Sequence, residues 1–313
     1  MKSFYHVCFT SHHEAPFRKE RDMGVLFNCM ALAAFSTDTN ILVDATMSTH
    51  QHAGVFCEDP GPWVRSTRCA YTRFFNREYS RSGTLGDPGF FQLQLEGFRH
   101  IEIAFSYILR NPLHHGQTTT PFGTAHSSIH SLFARDFCRP EPAGLITDRN
   151  VIRSFLPRRA EFPDHYKMDS SGLFTRGSVE QIRQAEAYFI TPRNFLYDMN
   201  RLSREDWLRI QDEDGVGRDR ITLGGMEPLY GQGDVSRMLM NESGRNVKPG
   251  MHADLDVCAI IDDVYVPICQ KASVYQLSES QKDRIARELY YQHKVSKTQI
   301  NRCLYFYDRL PFG

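Results

Sequence analysis

Hydrophobic and polar positions in the first 115 residues follow two periods, one typical of strands and one typical of helices. Period-two or β-rich segments predict strands over residues 4–10, 40–47, 50–57 and 91–95. Helical patterns are found over residues 23–35, 62–81 and 98–111. Pro112 is expected to stop the last of these helices, because proline lacks the backbone N–H that a helix interior needs.

The predicted order is therefore β-α-β-β-α-β followed by one further helix, with a hairpin turn at Ser48-Thr49. This is the order of a ferredoxin-like (split βαβ, RRM-like) unit with an appended helix. We expect an α+β fold in which this domain covers residues 1–138, because the Pro-rich stretch from Arg139 marks a break.

The rest of the chain is expected to be mainly helical. Residues 139–275 form a middle region of unassigned role, with helices predicted over 178–190 and 205–214. The tail, residues 276–313, contains two S-x-x-Q capping boxes, which predict helices over 279–291 and 297–307. Two short helices joined by a tight turn resemble a helix-turn-helix, although an ordinary helical hairpin closing the middle region fits the same pattern.

Composition narrows the class of protein. The 313 residues contain 37 Lys and Arg against 37 Asp and Glu, so a globally basic nucleic-acid coat is excluded while a local basic site is not. Only the tail is basic, with seven basic and four acidic residues. No apolar run approaches the ~20 residues of a membrane-spanning helix. The eight scattered cysteines include no C-x-x-C pair, and we expect a reduced, cytoplasmic protein.

The first candidate for chemistry is His50-Gln51-His52 on a predicted strand. Side chains at i and i+2 of a strand point to the same face, so the two imidazoles could ligate a divalent metal. The alternative is a pair of hydrogen-bonded histidines on a solvated sheet face. His114 and His115 are less convincing ligands, because histidines near a helix C-terminus usually interact with the helix dipole.

The second candidate is Tyr107 with Asn111, which lie one turn apart on the same face of the last predicted helix. The amide oxygen of Asn111 could bind a hard metal, and the tyrosine beside that metal could attack a phosphodiester to form a phosphotyrosine. The alternative is a buried tyrosine followed by an asparagine that caps the helix before Pro112.

Two sets of residues are candidates for DNA contact. The helix over 62–81 contains five arginines against one acidic residue; they are Arg65, Arg68, Arg73, Arg77 and Arg81. In the tail, the second helix would read base edges through Lys297, Thr298, Gln299, Asn301 and Arg302. The alternatives are a solvated charged face for the first set and a structural helix for the second.

Residues 1–135 resemble the single-tyrosine HUH transposases, and among them the REP-associated tyrosine transposase branch. The order and spacing of five elements carry the resemblance, namely Tyr5-His6-Val7, Met47-Ser48-Thr49-His50-Gln51-His52, Phe75-Asn76-x-x-Tyr79-x-Arg81-Ser82-Gly83, Tyr107-Ile108-Leu109-Arg110-Asn111-Pro112 and Ser127-Ser128. The resemblance implies an HUH nuclease domain in which His50, His52 and Asn111 bind Mg²⁺ or Mn²⁺. It further implies that Tyr107 cleaves single-stranded DNA near a hairpin and keeps the 5′-phosphate.

The sequence departs from that family at three places. Gln51 stands where the family has a hydrophobic residue, Ser48-Thr49 replaces Pro-Asn, and Gly86-Asp87-Pro88-Gly89 replaces a Gly-Arg pair. The function expected from the resemblance is a metal-dependent endonuclease and strand transferase of DNA transposition and recombination. Its partner would be single-stranded DNA with hairpin (REP-like) elements, and its assembly a monomer or a homodimer. A domesticated hairpin-binding regulator with weak or no catalysis is the alternative, and a water-using metal hydrolase is a weaker one.

Overall fold

The computed structural model describes residues 1–11, 14–114, 117–118, 120–140, 142–200 and 252–306. Within them the strands are β1 (Ser3–Thr10), β2 (Asn40–Thr46), β3 (His50–Cys57) and β4 (Phe91–Leu95). The first helices are α1 (Glu20–Ser36), α2 (Pro60–Glu78) and α3 (Gly97–His114). Those that follow are α4 (Arg149–Phe155), α5 (Arg176–Val179), α6 (Ile182–Phe189), α7 (Pro192–Met199), α8 (Asp254–Ile260), α9 (Val266–Ile268), α10 (Glu279–Tyr291) and α11 (Lys297–Leu304). The predicted helix 205–214 lies outside the described residues.

The four strands form an antiparallel sheet in the order β2-β3-β1-β4. The predicted β-α-β-β-α-β order with one further helix is confirmed for residues 3–114. The register of β1 against β3 places Thr10 opposite His50 and Cys8 opposite His52. Because side chains alternate along a strand, His6 and Cys8 share one face of the sheet with the two β3 histidines.

Each face of the sheet is covered by helices. On one face, α1 and α2 pack with Val7, Ala53 and Val55 in a core that also contains Trp63. On the other face, α3 packs with Val43 and Ala45. Residues of the middle region join both cores, for example Phe174 in the first and Phe189 in the second. The alternation of the strands thus decides that the histidines of β3 face α3.

Several predicted helix bounds differ from the structure; α2, for example, ends at Glu78 and not at residue 81. Helix α3 runs through Pro112 to His114, and Pro112 is buried within its last turn. The loss of one hydrogen bond is tolerated there because packing holds the turn in place. The predicted helix 178–190 is instead divided between α5 and α6, because the segment between them bonds elsewhere. The Gln181 N–H donates to the carbonyl of Ile41, and the Glu180 carboxylate accepts from Ser128.

Residues beyond 252 form a third core. Helices α8, α10 and α11 bury Val257, Ile285 and Ile300 together. Helix α8 thus packs in one core with the two tail helices, across the predicted boundary at residue 276. Helix α10 has the predicted bounds, whereas α11 ends at Leu304 since Tyr305 adopts a left-handed conformation. No described helix is long and apolar enough to cross a membrane.

Candidate functional site

Strand β3 and helix α3 bring the predicted chemical residues together. His50 Nε2 lies 3.3 Å from Asn111 Oδ1, and the rings of His50 and His52 are 5.0 Å apart. The Tyr107 ring lies 5.6 Å from that of His52. His50 is 7% exposed, His52 1% and Tyr107 3%. The two histidines therefore do not lie on a solvated sheet face, which removes that alternative.

Both β3 histidines are held through their Nδ1 atoms. Thr49 Oγ1 lies 2.9 Å from Nδ1 of His50, and Nε2 of His6 lies 2.8 Å from Nδ1 of His52. Cys8 Sγ lies 3.7 Å from the other nitrogen of His52. When the proton of His50 resides on Nδ1, its Nε2 presents a lone pair to the amide oxygen of Asn111.

The donor set fits a small divalent cation. At bond lengths of about 2.1 Å, two ligand atoms at right angles lie about 3.0 Å apart, close to the His50–Asn111 separation. With its proton on Nε2, His50 donates a hydrogen bond to Asn111 Oδ1; with the proton on Nδ1, two lone pairs face each other and a cation between them would remove their repulsion. The described residues contain no group of three or more His, Cys, Asp or Glu side chains that could hold a metal. The candidate ligands are therefore those expected from the sequence, His50, His52 and the amide oxygen of Asn111.

Tyr107 packs against aromatic rings. Its ring stacks on His114 at 6.1 Å and meets His6 edge-on at 5.8 Å. Burial, reinforced by His100, lowers the pKa of His6 to about 3. Burial, reinforced by Arg110, lowers the pKa of His114 to about 4. Both imidazoles are therefore uncharged at neutral pH and leave Tyr107 in a low-dielectric environment.

Gln51 lies on the opposite face of the sheet from His50 and His52, and it is fully buried. Its Nε2 donates to the carbonyl of His52 at 2.7 Å, whereas its Oε1 has no hydrogen-bond partner. A buried amide oxygen without a partner is unfavourable. The replacement of a hydrophobic residue by Gln51 is therefore a cost to stability rather than a change in the donor set.

The five arginines of the predicted DNA-binding helix differ in their surroundings. Arg65, Arg73 and Arg77 are exposed on α2. Arg68 donates to backbone carbonyls of the 87–89 loop. Arg81 forms a 2.6 Å ion pair with Glu14. Helix α2 packs on the face of the sheet opposite Tyr107, so the structure does not bring these arginines to the site, and DNA contact through them stays a prediction.

The tail residues proposed to read base edges also differ in their burial. Gln299 and Arg302 are buried. Arg302 holds Asp254 through two bonds of 2.6 and 2.7 Å, and Gln299 donates to the same carboxylate. These donors face the buried Asp254 carboxylate, and the assignment of Gln299 and Arg302 as groove contacts stays a prediction. Thr298 is exposed, whereas Lys297 and Asn301 are partly exposed, and contact through these three stays a prediction.

Sequence reasoning missed two groups that fix the site. His6 is the first: the sequence shows it only as part of the Tyr5-His6-Val7 motif, although the period-two alternation of β1 is a signal that places it on the face of His52. The second group is buried and joins the sheet to the middle region: Arg176 pairs with Asp44 at 2.6 Å. Burial and the nearby Asp44 carboxylate raise the pKa of Glu180. No sequence signal pairs residues so far apart.

Comparison with known proteins gives two partial structural similarities. One is to a structure described as a REP-associated tyrosine transposase bound to a REP hairpin, with a TM-score of 0.38 and 14% identity, covering 43% of this chain and 81% of that one. The other is to a transposase candidate from Deinococcus radiodurans, with a TM-score of 0.28 and 13% identity, covering 33% and 86%. No protein-family model matches the chain. No curated protein matches it either.

Proposed function

We propose that this protein is a metal-dependent single-strand DNA endonuclease and strand transferase, built on a ferredoxin-like HUH nuclease domain. One observation carries the proposal: Tyr107 and Asn111, one turn apart on α3, face His50 and His52 of β3. The motif spacing in the sequence supports the same residues. The substrate class is single-stranded DNA beside a hairpin.

The site residues would have two roles, metal binding and nucleophilic attack. His50, His52 and Asn111 would hold Mg²⁺ or Mn²⁺, which supplies Lewis-acid polarisation of the scissile phosphate. The phenol oxygen of Tyr107 forms a bond to phosphorus while the bond from phosphorus to the 3′-oxygen breaks. The tyrosine loses its proton, and the departing 3′-oxygen gains one to leave as a 3′-OH. The reverse reaction rejoins DNA without ATP, because the bond energy is kept in the phosphotyrosine.

The test is covalent capture of labelled DNA. Wild-type protein, Tyr107→Phe and the matched control Tyr5→Phe are mixed with labelled single strands from the DNA flanking the gene, with Mn²⁺ or with chelator. Tyr5 lies on the opposite face of the sheet, and its hydroxyl makes only a 3.3 Å bond to an exposed carbonyl. We expect label to migrate with wild type and Tyr5→Phe on a denaturing gel, only with Mn²⁺. Adducts that persist in Tyr107→Phe would refute the assignment.

A second function is favoured by a different observation. Tyr107 is only 3% exposed, and the three candidate metal ligands are buried with it. Among the described residues the Tyr107 hydroxyl is covered, so cleavage requires an opening of the site that a hairpin-binding regulator would not need. Such a regulator would bind hairpin DNA equally well with chelator and as Tyr107→Phe. Its gel would show binding under native conditions and no adduct under denaturing ones.

A further inference from the structure

His6 and His52 form a buried pair of imidazoles that bridges β1 and β3. Their Nε2 and Nδ1 atoms are 2.8 Å apart, and the two rings lie 23° from coplanar with centroids 5.0 Å apart. Both side chains are almost fully buried, so water does not compete for this bond. The pairing is therefore a fixed property of the folded sheet rather than a chance surface contact.

The direction of this hydrogen bond decides which nitrogen of His52 can bind a metal. A neutral imidazole has one donor and one acceptor nitrogen. If Nδ1–H of His52 donates to Nε2 of His6, the Nε2 of His52 is unprotonated and carries a lone pair, with Cys8 Sγ 3.7 Å away. If Nε2–H of His6 donates instead, His52 has its proton on Nε2 and cannot ligate there. Only the first arrangement leaves His52 able to bind a cation through Nε2.

Packing alone does not explain a histidine at position 6. The ring lies among aromatic neighbours, with Phe91 at 5.4 Å and Tyr107 at 5.8 Å, where an apolar ring would pack equally well. Its Nδ1 is buried without a hydrogen-bond partner. If Nε2 of His6 accepts from His52, the proton of His6 lies on this Nδ1, so the pairing leaves a buried donor without a partner, a cost that an apolar ring would avoid.

We propose that His6 is a positioning residue that accepts the Nδ1 proton of His52 and so selects Nε2 of His52 as the ligating nitrogen. The proposal rests on the proposed metal-dependent function and adds a residue to it. His6 does not touch the metal or the DNA; it acts through His52, as the partners behind metal-bound histidines generally do. On the other histidine, Thr49 Oγ1 stands in the corresponding position, 2.9 Å from Nδ1 of His50.

The test compares Mn²⁺ affinity by calorimetry in full-length wild type, His6→Phe and His6→Gln. Phenylalanine keeps the ring and removes the acceptor, so we expect Mn²⁺ binding to weaken about 10- to 100-fold. Glutamine restores an acceptor oxygen near the former Nε2 and should recover most of the loss. The matched control is His114→Phe, which removes another imidazole packed on Tyr107 and should leave Mn²⁺ affinity unchanged.

A second readout does not depend on the metal. Proton–nitrogen spectra of metal-free wild type should show one slowly exchanging imidazole proton shared by His6 and His52, and His6→Phe should lack it. If wild type and a folded His6→Phe bind Mn²⁺ equally, the positioning role is overturned while the metal site stands. If wild type binds no Mn²⁺, the metal-dependent function and the role of His6 are both rejected. If the wild-type spectrum lacks this slowly exchanging proton, the hydrogen bond between His6 and His52 is overturned.

Discussion

Acid should destabilise this protein through His114, and the size of the effect follows from its burial. An unfolded histidine has a pKa of about 6.5. Burial first, and then the neighbouring Arg110 charge, lower the native pKa of His114 to about 4. Between these values the unfolded chain binds a proton that the native protein does not, so stability falls as pH falls from 6.5 towards 4. At pH 5 the loss is about 2 kcal/mol.

Urea unfolding of wild type and His114→Phe at pH 7.5 and 5.0 measures this contribution directly. Phenylalanine cannot titrate, so the stability of the variant relative to wild type should rise by about 2 kcal/mol on going to pH 5.0. The matched control is His165→Phe, which removes a histidine exposed to solvent. An unchanged difference between wild type and His114→Phe at the two pH values would refute the reasoning.

Three further predictions follow from the contacts. Arg302→Met should lower the free energy of unfolding by about 3–5 kcal/mol because it leaves Asp254 buried and unpaired, and adding Asp254→Leu should recover most of the loss in urea titrations. Gln51→Leu should raise stability by about 1–2 kcal/mol, since it removes an amide oxygen that has no partner; a lower melting temperature would contradict this. Replacing Arg73 and Arg77 with Gln should reduce the slope of log affinity for single-stranded DNA against log salt by about 1.4 in anisotropy titrations, and an unchanged slope would remove both from the DNA interface.

The buried Asp254 connects the third core to the Ser48-Thr49 turn. Burial raises the pKa of its carboxyl, but Arg302, Gln299 and Ser48, in the turn directly before His50, together hold that pKa below its usual value. Arg18 makes a second connection, with a bidentate pair to Asp262 at 2.8 Å. The Ser48-Thr49 turn, where the sequence departs from the transposase pattern, therefore has one hydroxyl facing the third core and one facing His50.

The sequence by itself determined the local elements. Strand β4 and helix α10 have the predicted bounds, because period-two alternation and a capping box act over neighbouring residues. The spacing of His50 and His52, and of Tyr107 and Asn111, also fixed which side chains share a face of β3 or α3. These are properties of backbone geometry, and they hold before any packing partner is known.

Only the tertiary structure decided which faces meet and which side chains are already paired. His6 reaches His52 because β1 pairs with β3 in one register, and a shift of that register by one residue would place it on the other face. Arg302 looked like a DNA contact in the sequence, yet burial pairs it with Asp254, 48 positions away along the chain. Pairings of this kind depend on how distant segments pack, which local propensity does not encode.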